Sequence, residues 1–327
     1  MAARRLWVLL LVLVVVGCSG SGAKPSPSAS PAATPASPSA TPGLARIVTT
    51  EEVADRQVDL TIDSPAVGSE VKVRLLLPKG YRKEERKALP VLYLLHGCCD
   101  TYVSWSRSTD IAKLSADLNL LVVMPDGGKA GFYSDWRTGP AWERFHVTEL
   151  PELLAQAYGA GEPRAVAGVS MGGLGALGYA ARHPGMFQAA ASFSGIVHTH
   201  LTSDTAQGYL GLVSSQGEDP DALWGDPVAD AAVWRQHNPY DLADQLAGTQ
   251  VYLACGDGDP GPLDAEDASF DDIEGELGRE NAALAERLKG LQPKPTVDLY
   301  GAGTHNWVYW NRDLRDAWPM LRRSLGL

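Results

Sequence analysis

The chain has 327 residues, 45% hydrophobic and 20% charged, with four cysteines, 34 glycines and a formal net charge of −11. That balance excludes a collagen-like protein, a disulfide framework and a wholly disordered chain. The acidic excess, with a pI near 5.1, argues against a nucleic-acid partner, because phosphate binding needs clustered Lys and Arg.

The first 43 residues read as an address and a tether. Arg4 and Arg5 precede an unbroken apolar run of eleven residues, Leu6 to Val16. That is the length of a signal-peptide core and too short for a transmembrane span. The run ends Val15-Val16-Gly17-Cys18, which resembles a bacterial lipobox. Residues 1–17 are therefore expected to be a lipoprotein signal peptide, with Cys18 lipidated after cleavage; an ordinary secretory leader is the alternative. Acyl chains on Cys18 would hold the protein to the outer face of the cell membrane, each buried CH₂ contributing about 0.8 kcal/mol. Ser19 to Gly43 contains only Ser, Pro, Ala, Thr, Gly and one Lys. Without large apolar residues it builds no core, and its composition makes an extended, flexible linker. Residues 44–327 remain for a single domain.

Within that domain, Val58 to Ile62 and Val71 to Leu77 read as an opening antiparallel pair, the second stopped by Pro78. Pro90 to Leu95 is a short continuous apolar run ending at His96-Gly97, as expected of a strand buried on both faces. Similar runs follow at Leu120–Met124, Arg164–Gly168, Ala189–Ser194, Gln250–Ala254 and Thr296–Tyr300. Helical patterns lie between or after them at Ile111–Leu118, Val147–Tyr158, Met171–Arg182, Glu274–Lys289 and Asn311–Leu325. This alternation predicts an α/β fold: a mostly parallel central sheet with helices on both faces. Val197 to Tyr240 has no clean period and reads as an insertion with short helices.

The chemistry centres on Gly168-Val-Ser170-Met-Gly172, a G-x-S-x-G motif between an apolar strand and an Ala/Gly/Leu-rich helix. That context makes Ser170 the nucleophile of a strand–turn–helix elbow, as in α/β-hydrolases. A serine hydroxyl is a weak nucleophile and needs a base. Of seven histidines, only His305 follows the last predicted strand, where a loop can carry it over the elbow. The acid is left open among nine carboxylates between Asp257 and Glu276. Asp257 lies nearest a strand end, and Glu274 begins a long helix. A tetrahedral oxyanion needs two backbone donors, here Met171 N–H after the nucleophile and Cys98 N–H in the loop after Leu95. Cys98 and Cys99 are expected as thiols or in a structural role, with a strained vicinal bridge, or a bridge from either to Cys255 if the two strand ends lie close, as the alternatives. His198 and His200 make a weak H-x-H signal. The acidic run lacks a calcium-loop pattern, so no metal or cofactor is expected.

The elbow, Gly303-Thr-His305-Asn-Trp307, and above all Met124-Pro-Asp-Gly-Gly-Lys-Ala-Gly-Phe-Tyr-Ser-Asp-Trp136 resemble the antigen 85 mycolyltransferases and the wider esterase D family. The resemblance runs from about Val71 to Trp318 and implies an α/β-hydrolase fold and acyl-ester chemistry through a Ser–Glu–His triad. It places the triad on Ser170, Glu274 and His305, which moves the choice of acid from Asp257 to Glu274. It also places an oxyanion donor on Cys98 and a tryptophan beside the histidine on Trp307. The family's trehalose-holding Asp and Arg fall on His96 and Cys99, which puts trehalose and mycolate transfer in question. His96, Trp136 and Trp307 are candidates for the substrate pocket, with Trp105, Trp142 and Trp310 as weaker ones. The expected protein is an exported, lipid-anchored serine esterase or acyltransferase acting on an acyl-ester small molecule or lipid. Mycolyl transfer to trehalose, or binding without catalysis, are the alternatives.

Overall fold

A computed structural model of the chain describes residues 43–327, with the exception of residues 86 and 87. The leader, Cys18 and the stalk up to residue 42 lie outside the described residues. Among the described residues, nine strands make one sheet: β1 (Arg46–Ala54), β2 (Gln57–Ser64), β3 (Ser69–Leu76), β4 (Leu89–Leu95), β5 (Leu121–Pro125), β6 (Ala160–Val169), β7 (Ala189–Phe193), β8 (Gln250–Gly256) and β9 (Thr296–Gly301). Their spatial order is β1-β2-β3-β5-β4-β6-β7-β8-β9. The first three strands and the β3–β5 pair run antiparallel; every pair from β5 onward is parallel.

Among the described residues, ten α-helices sit between and after these strands. They are α1 (Ser104–Ser108), α2 (Ile111–Leu114), α3 (Trp142–Arg144), α4 (Leu150–Tyr158), α5 (Met171–Arg182), α6 (Ser203–Ser215), α7 (Pro220–Leu223), α8 (Ala231–Gln236), α9 (Asp272–Arg287) and α10 (Trp307–Ser324). The strands' period of two divides the core. In β4, Val91, Tyr93 and Leu95 face one hydrophobic cluster, with α4, α5, α6 and part of α9. Leu92 and Leu94 face the other, covered by α10, Trp105 and Ile111. Strands buried on both faces read as unbroken apolar runs, which is why these were the most legible elements.

The eight expected strands are present, and β2 and β3 form the antiparallel pair. The sequence reading missed β1, whose residues are almost all exposed. A strand with no buried face carries no hydrophobic period. The helix expected from Val147 starts earlier, at Trp142, and passes through a π-helical turn (Phe145–Glu149) into α4. The last helix also starts earlier, because Asn306 caps it by accepting from the Val308 N–H. The first expected helix stops at Leu114 rather than Leu118. The insertion holds α6, α7 and α8, and α6 is a full thirteen residues, capped by Thr202.

Candidate active site

Ser170 sits between β6 and α5 at φ 54°, ψ −120°. A non-glycine residue at positive φ is strained and persists only where its surroundings over-determine it. They do so here: Ser170 N–H donates to Phe193 O (3.0 Å), and Ser170 O accepts from Gly173 N–H (2.9 Å) and Ile196 N–H (3.1 Å). The flanking glycines are a steric requirement. A Cβ on Gly168 would overlap the Gly172 carbonyl, and one on Gly172 would overlap the Leu95 carbonyl.

The loop after β4 runs beside the serine. A Cβ added at Gly97 would lie 3.2 Å from Ser170 Cβ. Among the described residues, neither Met171 N–H nor Cys98 N–H donates to a backbone acceptor. The loop is pinned from below. Tyr133 Oη donates to His96 O (2.9 Å), and Cys99 N–H donates to Lys129 O (2.8 Å). His96 Nε2 accepts from Gly127 N–H (2.9 Å), which leaves Nδ1–H to donate to Gly97 O (2.8 Å). Phe132 and Tyr133 take φ of 50° and 48°, so the F-Y-S-D-W segment is a bent support under this loop. Cys98 and Cys99 are joined in a vicinal disulfide, which corrects the expectation of free thiols; their adjacency alone could not reveal it.

His305 follows β9 in the loop before α10. Its Nδ1 bonds Glu274 Oε2 at 2.7 Å. Glu274 is fully buried at the start of α9. Its other oxygen, Oε1, accepts from Gly256 N–H (2.7 Å), Ser194 Oγ–H (2.7 Å) and, more weakly, the Cys255 thiol (3.4 Å). Cys255 is buried, and its thiol pKa is pushed well above the usual value by desolvation, then by the Glu274 charge. Asp257, the alternative acid, is exposed and spends Oδ1 on Asp259 N–H (3.0 Å). Asp271, unmarked among its acidic neighbours in sequence, caps α9 by accepting from Ile273 and Glu274 N–H. Its Oδ2 accepts from His305 N–H (3.0 Å), so one carboxylate joins the α9 terminus to the histidine loop.

Ser170, His305, Cys98 and Cys99 open on one cavity of about 750 Å³. Its walls are Ile196, Tyr209 and Leu212 on one side and Ile273 and Leu277 on the other, with Thr202, Thr205 and Glu276 among the polar groups. Tyr209 on α6 donates to Glu280 on α9, and Thr205 donates to Glu276 (2.6 Å), so the two walls are tied together. Glu280 also accepts from Val197 and His198 N–H (2.8 Å each), and burial pushes its pKa up to about 7.

The pocket candidates His96, Trp136 and Trp307 do not line this cavity. His96 is buried under the loop, and Trp136 Nε1 donates to Gly131 O (3.0 Å). Trp307 packs edge-on against Trp105 (5.4 Å between centroids) and Trp310 (5.0 Å). Trp105, Trp142 and Trp310 are buried packing residues. These corrections share a cause. The motif tryptophans hold the backbone that holds the site, while the cavity is walled by α6 of the insertion, where no sequence period was visible. His198 and His200 stack edge to face, and His200 pairs with Asp241 (2.7 Å). Among the described residues, no group of three or more His, Cys, Asp or Glu could hold a metal ion.

Residues 64–321 match the Esterase family model. The diacylglycerol acyltransferase/mycolyltransferase Ag85B of Mycolicibacterium smegmatis is 31% identical over 289 residues, covering 82% of this chain and 85% of that protein. The crystal structure of Mycobacterium tuberculosis MPT51 superposes with a TM-score of 0.64 at 24% identity, over 80% of this chain and 96% of that one. An S-formylglutathione hydrolase from Agrobacterium tumefaciens superposes with a TM-score of 0.65 at 21% identity, over 86% and 99%. At these identities the two structures speak for the fold alone. The chain belongs to the Esterase family, as a carboxylic-ester hydrolase or acyltransferase of the α/β-hydrolase fold.

Proposed function

We propose that the protein is an exported, lipid-anchored serine esterase or acyltransferase that works through an acyl-enzyme on Ser170. The observation that carries the reading is a strained Ser170 opening on the same apolar cavity as His305, whose far nitrogen is held by buried Glu274. In the mechanism, Ser170 Oγ attacks the ester carbonyl while His305 takes its proton. Glu274 fixes the imidazole's tautomer and stabilises the imidazolium that forms. Met171 and Cys98 N–H receive the oxyanion; one such donor is typically worth about 10²–10³ in rate. His305 then protonates the leaving alkoxide, and water or an alcohol resolves the acyl-enzyme.

The cavity's aliphatic and aromatic walls suit the acyl portion of the ester. At the two positions where the resemblance puts a sugar-binding Asp and Arg, this chain has buried His96 and disulfide-bonded Cys99. Neither offers the charge-assisted hydrogen bonds a trehalose acceptor would receive, so we favour water or another alcohol as acceptor. Export and anchoring rest on the Leu6–Val16 run and Cys18. Among the described residues, no helix is long and apolar enough to cross a membrane.

A fluorophosphonate probe tests the nucleophile: wild type should label and Ser170→Ala should not. Absence of labelling in both would leave a binding protein on a hydrolase scaffold. Turnover of p-nitrophenyl esters with and without glycerol or trehalose separates hydrolysis from transfer. Cys18→Ala should release the protein from the membrane fraction.

A further inference from the structure

Glu274 makes one bond to His305 and three on its other oxygen, and one of those three leads outward through a chain of buried groups. Ser194 directly follows β7 at φ 44°, a left-handed conformation that a serine does not adopt by preference. It is fully buried, and its N–H donates to Ala254 O at 2.7 Å, tying the end of β7 to β8. Its hydroxyl donates to Glu274 Oε1 at 2.7 Å. The same hydroxyl oxygen accepts from Trp310 Nε1–H at 3.0 Å. An indole nitrogen can only donate, so this contact fixes the direction of the hydroxyl proton: it must point to Glu274. The Trp310 ring meets the His305 ring edge to face, with centroids 4.8 Å apart. One indole thus touches the base directly and the acid through one serine.

Resting on the reading of Glu274 and His305 as triad acid and base, we infer that Ser194, oriented by Trp310, is a positioning residue for Glu274. Its backbone strain is the cost of aiming a hydroxyl at the carboxylate, beside the Gly256 N–H that reaches the same oxygen from the end of β8. The donated bond holds Oε1 so that Oε2 faces His305, and it draws negative charge toward Oε1. Removing it leaves more charge on Oε2, so the imidazolium is better stabilised while the carboxylate is less well held.

The test is the pH–rate profile of Ser194→Ala and Trp310→Phe on a p-nitrophenyl ester, with Glu274→Gln measured beside them. Ser194→Ala should lower kcat about tenfold, as for the loss of a hydrogen bond to a charged group, with little change in KM. The acid limb of the kcat/KM profile should move to higher pH. Trp310→Phe should act in the same direction. The double variant should be close to Ser194→Ala alone, because phenylalanine keeps an aromatic ring against His305 and both changes break the same bond chain to Glu274. A purely structural role would lower the melting temperature without moving the acid limb. The inference is overturned if Ser194→Ala and Trp310→Phe keep the wild-type kcat and acid limb while Glu274→Gln is crippled. If Glu274→Gln itself turns over normally, the assignment of the acid falls, and the inference with it. Should Ser194→Ala fail to fold, Trp310→Phe carries the same two readouts.

Discussion

Replacing Glu274 by glutamine is the sharpest perturbation of the proposed chemistry, because it changes charge and proton donors while keeping shape. Glu274 is fully buried, and its partner His305 is only 14% exposed, so solvent screens the pair little. With Nδ1 and Oε2 at 2.7 Å, the charge centres lie about 4 Å apart, worth about 4 kcal/mol at an effective dielectric near 20. That corresponds to about 10³ in rate. The amide adds a second fault. Gly256 N–H and Ser194 Oγ–H both need an acceptor at Oε1, so the amide oxygen is drawn there and its NH₂ turns toward His305 Nδ1. Nδ1 must then accept, leaving the proton on the nitrogen that should act as base; wrong-tautomer substitutions of this kind cost about 10⁴. Steady-state hydrolysis of a p-nitrophenyl ester should therefore show kcat lower by about 10³–10⁴, with the melting temperature near that of wild type. A loss of less than about tenfold, or a larger loss in Asp257→Asn, would refute the reasoning.

Asp271→Asn should lower kcat about tenfold and stability by about 1 kcal/mol, since the amide cannot both cap α9 and accept from His305 N–H; unchanged kcat would show that the histidine loop stands without it. Gly97→Ala should depress fluorophosphonate labelling with the fold intact, because the new methyl would press on Ser170 at 3.2 Å; wild-type labelling would count against this loop as the oxyanion wall. Tyr209→Ala opens the floor between α6 and α9 and should shift preference toward longer acyl esters; an unchanged chain-length profile would remove α6 from the acyl site. Desolvation lowers the pKa of His146 and of His237 to about 4. Below pH 6.5 the unfolded chain therefore binds more protons, and stability is lost as pH falls from about 6.5 to about 4, by up to roughly 3 kcal/mol per histidine. Urea unfolding across that range should show this slope, and His146→Gln should flatten part of it.

How far the sequence could be read depends on which residues carry a period and which carry only a place. The parallel strands and α5 announce themselves as apolar runs beside glycines, and the G-x-S-x-G elbow is local by construction. Glu274 is different: its spacing does not set it apart among the nine carboxylates from Asp257 to Glu276, and only the family resemblance singles it out before the fold buries it and exposes Asp257. Ser194 and Asp271 act across elements, through bonds to residues 80 and 34 positions away, so no local pattern marks them. The F-Y-S-D-W segment lies beneath the loop beside Ser170 as scaffold. Tyr133 reaches the loop beside Ser170 through the His96 carbonyl, and Trp136 never reaches the cavity.

Strand β1 was the element the sequence hid, and its plainness has a use. It forms the first edge of the sheet, almost wholly exposed, and it carries Glu51 and Glu52 side by side. An open edge offers unpaired peptide groups to any neighbour, and charges on it discourage such pairing. A protein tethered to a surface as proposed would meet copies of itself at high two-dimensional density, all held at similar height. There, mutual electrostatic repulsion along β1 would keep each molecule a separate, freely turning catalyst instead of a tile in a patch.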